Sequence, residues 1–175
     1  MTGVEYVIGT NYADNITGDL NLNKIQGMGG NDNIAGQDGS DKIYGGADVA
    51  NSTSSGDDTL DGKAGDDLIY GGDGNDLISG GTGKDTLYGE DGIDVINAEG
   101  DDDTIFAGSG NDTLNGGYGK DIFICGDGTD TIIDFNITQK DATPENDCEN
   151  QKNEETNAIV PMNINKITDN KSNNG

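Results

Sequence analysis

At 175 residues the chain has room for one domain, and an apolar fraction of 30% with no Trp is too low for an ordinary globular core. Nine basic residues, all of them Lys, stand against 34 acidic ones, and the net charge of -25 repels nucleic acid and anionic membrane surfaces while calling for cations as partners. The absence of His removes the commonest general base and transition-metal ligand, and no apolar run reaches the roughly 18 residues of a membrane span.

Residues 1 to 8 form a lead-in without the basic and apolar regions of a secretory signal. A nonapeptide register begins at residue 9 and continues to residue 135. Its clearest blocks are GMGGNDNIA (27 to 35), GQDGSDKIY (36 to 44), GKAGDDLIY (62 to 70), GGDGNDLIS (71 to 79), GGTGKDTLY (80 to 88), GEDGIDVIN (89 to 97) and GGYGKDIFI (116 to 124). The sixth position reads Asp14, Asn23, Asp32, Asp41, Asp58, Asp67, Asp76, Asp85, Asp94, Asp103, Asp112, Asp121 and Asp130. The eighth is always large and apolar, running from Ile16 to Ile132.

Three places depart from this register. GDLNLNKIQ (18 to 26) carries Asn21 and Asn23 where Gly and Asp are usual. Between Gly45 and Asp61 the block is longer than nine, and the polar excess near 47 to 55 reads as an inserted loop. In AEGDDDTIF (98 to 106), Ala98 and Asp101 replace glycines, which makes the neighbourhood of Asp103 an expected weak point.

Within each block the last three residues alternate outward, inward, outward as a short strand, and the six before them are turn material, with Gly supplying positive φ. One apolar side chain per nine residues cannot be buried by a single unit, so units stack, two per coil. The expected fold is all-β: a parallel β-roll, or β-solenoid, of stacked nonapeptide repeats. Alternate turns then lie above one another and sort the sixth-position carboxylates into two ladders. One carries Asp14, Asp32, Asp58, Asp76, Asp94, Asp112 and Asp130, and the other Asn23, Asp41, Asp67, Asp85, Asp103 and Asp121. Stacked carboxylates repel unless a hard divalent cation lies between turns. Calcium fits better than magnesium, because it accepts six to eight oxygens, carbonyls included, in tolerant geometry.

The blocks resemble the G-G-x-G-x-D-x-U-x repeat of RTX, or haemolysin-type, calcium-binding proteins over about residues 9 to 135. The resemblance implies a right-handed parallel β-roll holding several Ca2+ ions. The ligands it implies are the carboxylates of Asp32, Asp41, Asp58, Asp67, Asp76, Asp85, Asp94, Asp103, Asp112, Asp121 and Asp130, with the backbone carbonyls of Gly27, Gly36, Gly62, Gly71, Gly80, Gly89 and Gly116. It also implies an extracellular or cell-surface location. Two ladders of turns offer at most eleven gaps, and about five to eight well-formed sites are expected after allowing for the irregular blocks.

The segment 123 to 136 reads as a cap, and residues 136 to 175 as a polar, partly disordered tail whose apolar pieces IVPM (159 to 162) and INKI (164 to 167) are candidates to cover the open end of the roll. Cys125 and Cys148 leave two readings open, a disulfide in an oxidising compartment or two free thiols. Neither flank has room for a catalytic domain, so an enzyme is not expected. Ninth-position Tyr44, Tyr70, Tyr88 and Phe106 form an outward aromatic stripe that either shields the strands or docks partners. Candidate partners beside calcium are glycans or further copies of the chain at the cell surface.

Overall fold

In a computed structural model, residues 5–47, 55–134, 148, 150–153 and 158–161 are described. The expected inserted loop at 47 to 55 falls largely outside these, as do most of the tail and the INKI segment. In chain order the strands are β1 (Glu5–Ile8), β2 (Asn15–Thr17), β3 (Asn23–Gln26), β4 (Asn33–Asp38), β5 (Lys42–Tyr44), β6 (Thr59–Ala64), β7 (Leu68–Asp73) and β8 (Leu77–Thr82). They continue with β9 (Thr86–Asp91), β10 (Val95–Gly100), β11 (Thr104–Gly110), β12 (Thr113–Asn115), β13 (Ile122–Gly128), β14 (Thr131–Ile132), β15 (Asn150–Asn153) and β16 (Ala158–Pro161). No helix occurs among the described residues, and so none is long and apolar enough to cross a membrane.

The strands sort by parity, as a two-repeat coil requires. One sheet has the order β1-β3-β5-β7-β9-β11-β13, and the other runs β2-β4-β6-β8-β10-β12-β14-β15-β16. Every pairing is parallel except β15 with β16. The fold is a parallel β-roll.

Register is set by the eighth position. Ile43 pairs with Ile69, Ile69 with Leu87, Leu87 with Ile105 and Ile105 with Phe123 in one sheet. In the other, Ile34, Leu60, Ile78, Ile96, Leu114 and Ile132 follow one another in the same way. These residues are buried and form one core between the sheets, joined at its sides by Ala98, Ala107 and Cys125 from first positions. A one-residue slip would turn every plug to solvent, so the period of two fixes the pairing. A core this thin leaves most of the ordering entropy to be offset by what occupies the turns.

Strands β6 to β11 run to six or seven residues, where the sequence suggests three. In most turns the second position adopts positive φ, which redirects the chain without ending the ladder, so that Gly72 still pairs with Glu90 and Asp73 with Asp91. Non-glycine residues take this conformation at Met28, Gln37, Lys63, Glu90 and Glu99, and Asp101 takes it at a fourth position.

At the far end the two cysteines are bonded, with a Cα to Cα distance of 5.3 Å, and both are buried. The bond ties the chain just before β15 to β13 in the opposite sheet. β15 adds to β14 in parallel, and β16 folds back on β15. The segment that docks on the roll is therefore Asn150–Asn153, and the apolar Ala158–Pro161 pairs one strand further out. Main-chain pairing, rather than apolar content, selected the docking strand.

Candidate metal centre

Each sixth-position Asp lies at the end of its turn, immediately before its strand, and all but the partly exposed Asp14 are buried: Asp32, Asp41, Asp58, Asp67, Asp76, Asp85, Asp94, Asp103, Asp112, Asp121 and Asp130. Burial follows from stacking, because the next coil closes over each turn. The two oxygens of each carboxylate meet different surroundings. Oδ1 accepts the backbone N–H of the sixth-position residue one coil earlier. On one edge these bonds run from Asp14 to Asp32, Asp32 to Asp58, Asp58 to Asp76, Asp76 to Asp94, Asp94 to Asp112 and Asp112 to Asp130, at 2.7 to 2.8 Å. On the other they run from Asn23 to Asp41, Asp41 to Asp67, Asp67 to Asp85, Asp85 to Asp103 and Asp103 to Asp121, at 2.7 to 3.0 Å. The bond from Asp32 to Asp58 joins the coils on either side of the insertion, so the ladder continues across it.

Oδ2 is the unusual atom. In Asp32, Asp41, Asp67, Asp76, Asp85, Asp94, Asp103 and Asp112 it is buried and accepts no hydrogen bond. A buried carboxylate oxygen without a donor is expensive. In the turns that begin with glycine, which excludes those of Asp103 and Asp112 with Ala98 and Ala107, it faces that glycine, and the first-position carbonyl of the next coil comes to the same place: a Cβ added to Gly27 would meet both Asp32 Oδ2 and Gly45 O, and one added to Gly71 both Asp76 Oδ2 and Gly89 O. Glycine at the first position keeps this space open.

Burial pushes the carboxyls upward, opposed by the Oδ1 hydrogen bond and reinforced by neighbouring carboxylates. Asp58, Asp67 and Asp94 rise to about 6, Asp76 and Asp85 to about 7, and Asp103 to about 8. Asp32, Asp41 and Asp112 are raised by the same desolvation. A ladder of buried acids that resists ionisation until a cation arrives is the electrostatic signature of a metal-binding stack.

The family comparison agrees with this chemistry. Four copies of the RTX calcium-binding nonapeptide repeat match, over residues 22–49, 52–87, 79–114 and 98–132. The chain belongs to this family. A search of curated proteins returned no match. RTX repeats bind calcium ions, and the residues present fit that ion. Among the described residues no three side chains of His, Cys, Asp or Glu gather at one point. A cation between coils must therefore complete its shell with backbone carbonyls, which suits calcium and not a transition metal.

Asn23 shows which carbonyls those are. Its side-chain Nδ2, standing where the family has a second carboxylate oxygen, donates to the carbonyls of Asn21 at 2.6 Å, Asp19 at 3.2 Å and Gly36 at 3.4 Å, and to Asp41 Oδ1 at 2.9 Å. One positively polarised nitrogen thus sits among four oxygens. They come from the second and fourth positions of its own turn and the first and sixth of the next. By register, the corresponding positions in the Asp67 turn are Lys63, Gly65, Gly80 and Asp85, of which the Gly80 carbonyl approaches the same spot as Asp67 Oδ2. The first-position carbonyl at Asn23, that of Gly36, belongs to the set the sequence suggests. Those of the second and fourth positions do not, and their only mark in the sequence is the positive φ, usually met by Gly, that aims the peptide.

Proposed function

We propose that this RTX β-roll is a calcium-coupled folding module that works outside the cell and carries no catalysis of its own. The observation that carries the reading is the pair of ladders of buried Oδ2 atoms without hydrogen-bond donors. In each gap the sixth-position carboxylates, with the second-, fourth- and first-position carbonyls, hold the ion. The ligand set includes Asp32, Asp41, Asp58, Asp67, Asp76, Asp85, Asp94, Asp103, Asp112, Asp121 and Asp130. When bound, calcium supplies the positive charge that lets successive turns approach.

The chain's own residues do the rest. Oδ1 pins each coil to the one before it, glycine leaves the gap open, and the eighth-position plug closes the core once the coils are in register. Because no gap exists in the unfolded chain, binding free energy becomes folding free energy. A compartment with millimolar calcium then favours the roll, and a calcium-poor cytosol favours an extended chain suited to export. The Cys125–Cys148 bond supports the same placement, since disulfides persist in oxidising surroundings. Far-UV circular dichroism tests the reading: β signal is expected in millimolar calcium and its loss in chelator, and an identical spectrum in both would overturn it.

A second reading, adhesion to glycans or to other copies, is favoured by the aromatic column on one face. Tyr44, Tyr70, Tyr88 and Phe106 stack in sequence with centroids 4.5 to 5.0 Å apart and planes within 7°. The column also shields the strands beneath it, so both roles draw on one feature.

A further inference from the structure

The two sheets are built from the same repeat, yet their outer faces differ. Outward side chains come from the seventh and ninth positions, on either side of the buried plug. On β2 to β14 these are mostly Asn, Thr and Ser, with Leu77, Val95 and the acidic Asp61, and none is aromatic. On the seven strands of the other sheet they include the whole stacked column and no Asp or Glu, although Asp73, Glu90, Asp91 and Asp127 follow further along β7, β9 and β13 and Glu90 is near enough to help raise the Tyr70 hydroxyl's pKa. The charges on that face are Lys24 and Lys42, opposite each other on β3 and β5. Lys24 Nζ lies 5.3 Å from the Tyr6 ring centre, and Lys42 Nζ lies 5.1 Å from Tyr44 and 5.8 Å from Tyr70. In a chain of net charge -25 the β3–β5 end of this aromatic stripe is cationic.

Its shape restricts what can lie on it. Seven strands about 4.8 Å apart make a stripe about 30 Å long, and three extended residues make it about 10 Å wide. That is about 300 Å², against the roughly 800 Å² per partner of a stable protein interface. A long, narrow strip suits a single extended chain. The inner rings cover each other's faces, so they present edges, which carry the positive end of the ring quadrupole, and the tyrosines add hydroxyls. Ring edges, hydroxyls and two ammonium groups all favour an oxygen-rich anion.

We propose that this face binds an acidic polysaccharide laid along the roll axis, its anionic groups at Lys24 and Lys42 and its hydroxyls along the partly exposed Tyr70 and Tyr88. The proposal rests on the adhesive reading and gives it a ligand class. Calcium enters twice, by folding the strip and by neutralising the acidic edges beside it.

The test is to print neutral, carboxylated and sulfated oligosaccharides as an array and probe it with the full chain in millimolar calcium. Binding confined to acidic members is expected, the carboxylated and sulfated arms identifying the anion. The K24Q/K42Q variant should bind at least about tenfold more weakly, while T59A/N97A on the opposite sheet should bind as before, with circular dichroism confirming that both are folded. Binding to neutral glycans alone overturns the acidic ligand and leaves adhesion standing. No binding to any glycan overturns both, as does sedimentation showing that the K24/K42 face is consumed in a dimer. Unchanged binding by K24Q/K42Q overturns the assignment to this face.

Discussion

A carboxylate offers two oxygens, and in this roll they are divided between two tasks: Oδ1 registers one coil on the previous one, and Oδ2 waits for a cation. Replacing Asp85 with Ala removes both, and should cost about 3 kcal/mol of stability in calcium, the scale on which a buried charge loses its partner, measured by urea unfolding at fixed free calcium. Asn23 gives the converse. Its amide nitrogen donates to the oxygens that we propose as ligands, so Asn23→Asp should convert that gap into a calcium site and raise the stoichiometry in titration calorimetry by about one ion. An unchanged ion count would show that the Asn23 nitrogen does not mark the metal position. The sixth-position acids were plain in the sequence because only Asp supplies that short carboxylate. The second- and fourth-position carbonyls gathered at Asn23 were not, because every residue carries a carbonyl and only its direction matters.

The turns and strands repeat well enough for single departures to be weighed. Asp101 holds φ of 81° at a fourth position, where Gly39, Gly65, Gly74, Gly83 and Gly92 also have positive φ. A side chain there costs about 1 kcal/mol, so Asp101→Gly should stabilise the calcium-loaded roll by about that much in thermal unfolding. The irregular block around Asp103 looked weak in sequence, yet Asp103 keeps its place in the ladder, accepting from Asp85 N–H and donating its own to Asp121. The backbone absorbs the missing glycines through strained φ, not by leaving the stack. At the far end, Cys148→Ser removes a cross-link between residues 23 apart. Loop-closure entropy puts that loss at about 3 kcal/mol, readable as a lower urea midpoint and earlier proteolysis of the segment carrying β15. The docking of β15 could not be read from the sequence, since NQKN has no apolar pattern and joins the sheet through its main chain.

Over the whole molecule the acids act together, and pH reports on them. In the calcium-free roll the buried carboxyls hold their protons more tightly than in the unfolded chain, where they titrate near 3.8; Asp76 and Asp85 reach about 7 and Asp103 about 8. Their contribution to stability is therefore present below about pH 4 and is lost as pH rises through 6 to 8. In chelator, acidification should restore β structure, and in calcium the reverse holds, because protons compete for the ligands and more calcium is needed as pH falls. The parity of the strands and the two ladders were legible from the nine-residue period alone, which dictates what lies above what. The aromatic stripe was legible in the same way, whereas the ring stacking and the approach of Lys24 and Lys42 to it needed the coordinates. Small-angle scattering through a calcium titration tests the central claim most directly. Coupled folding predicts a radius of gyration falling cooperatively from about 44 Å in chelator to below about 20 Å in millimolar calcium, and a radius that stays the same across the titration would contradict it.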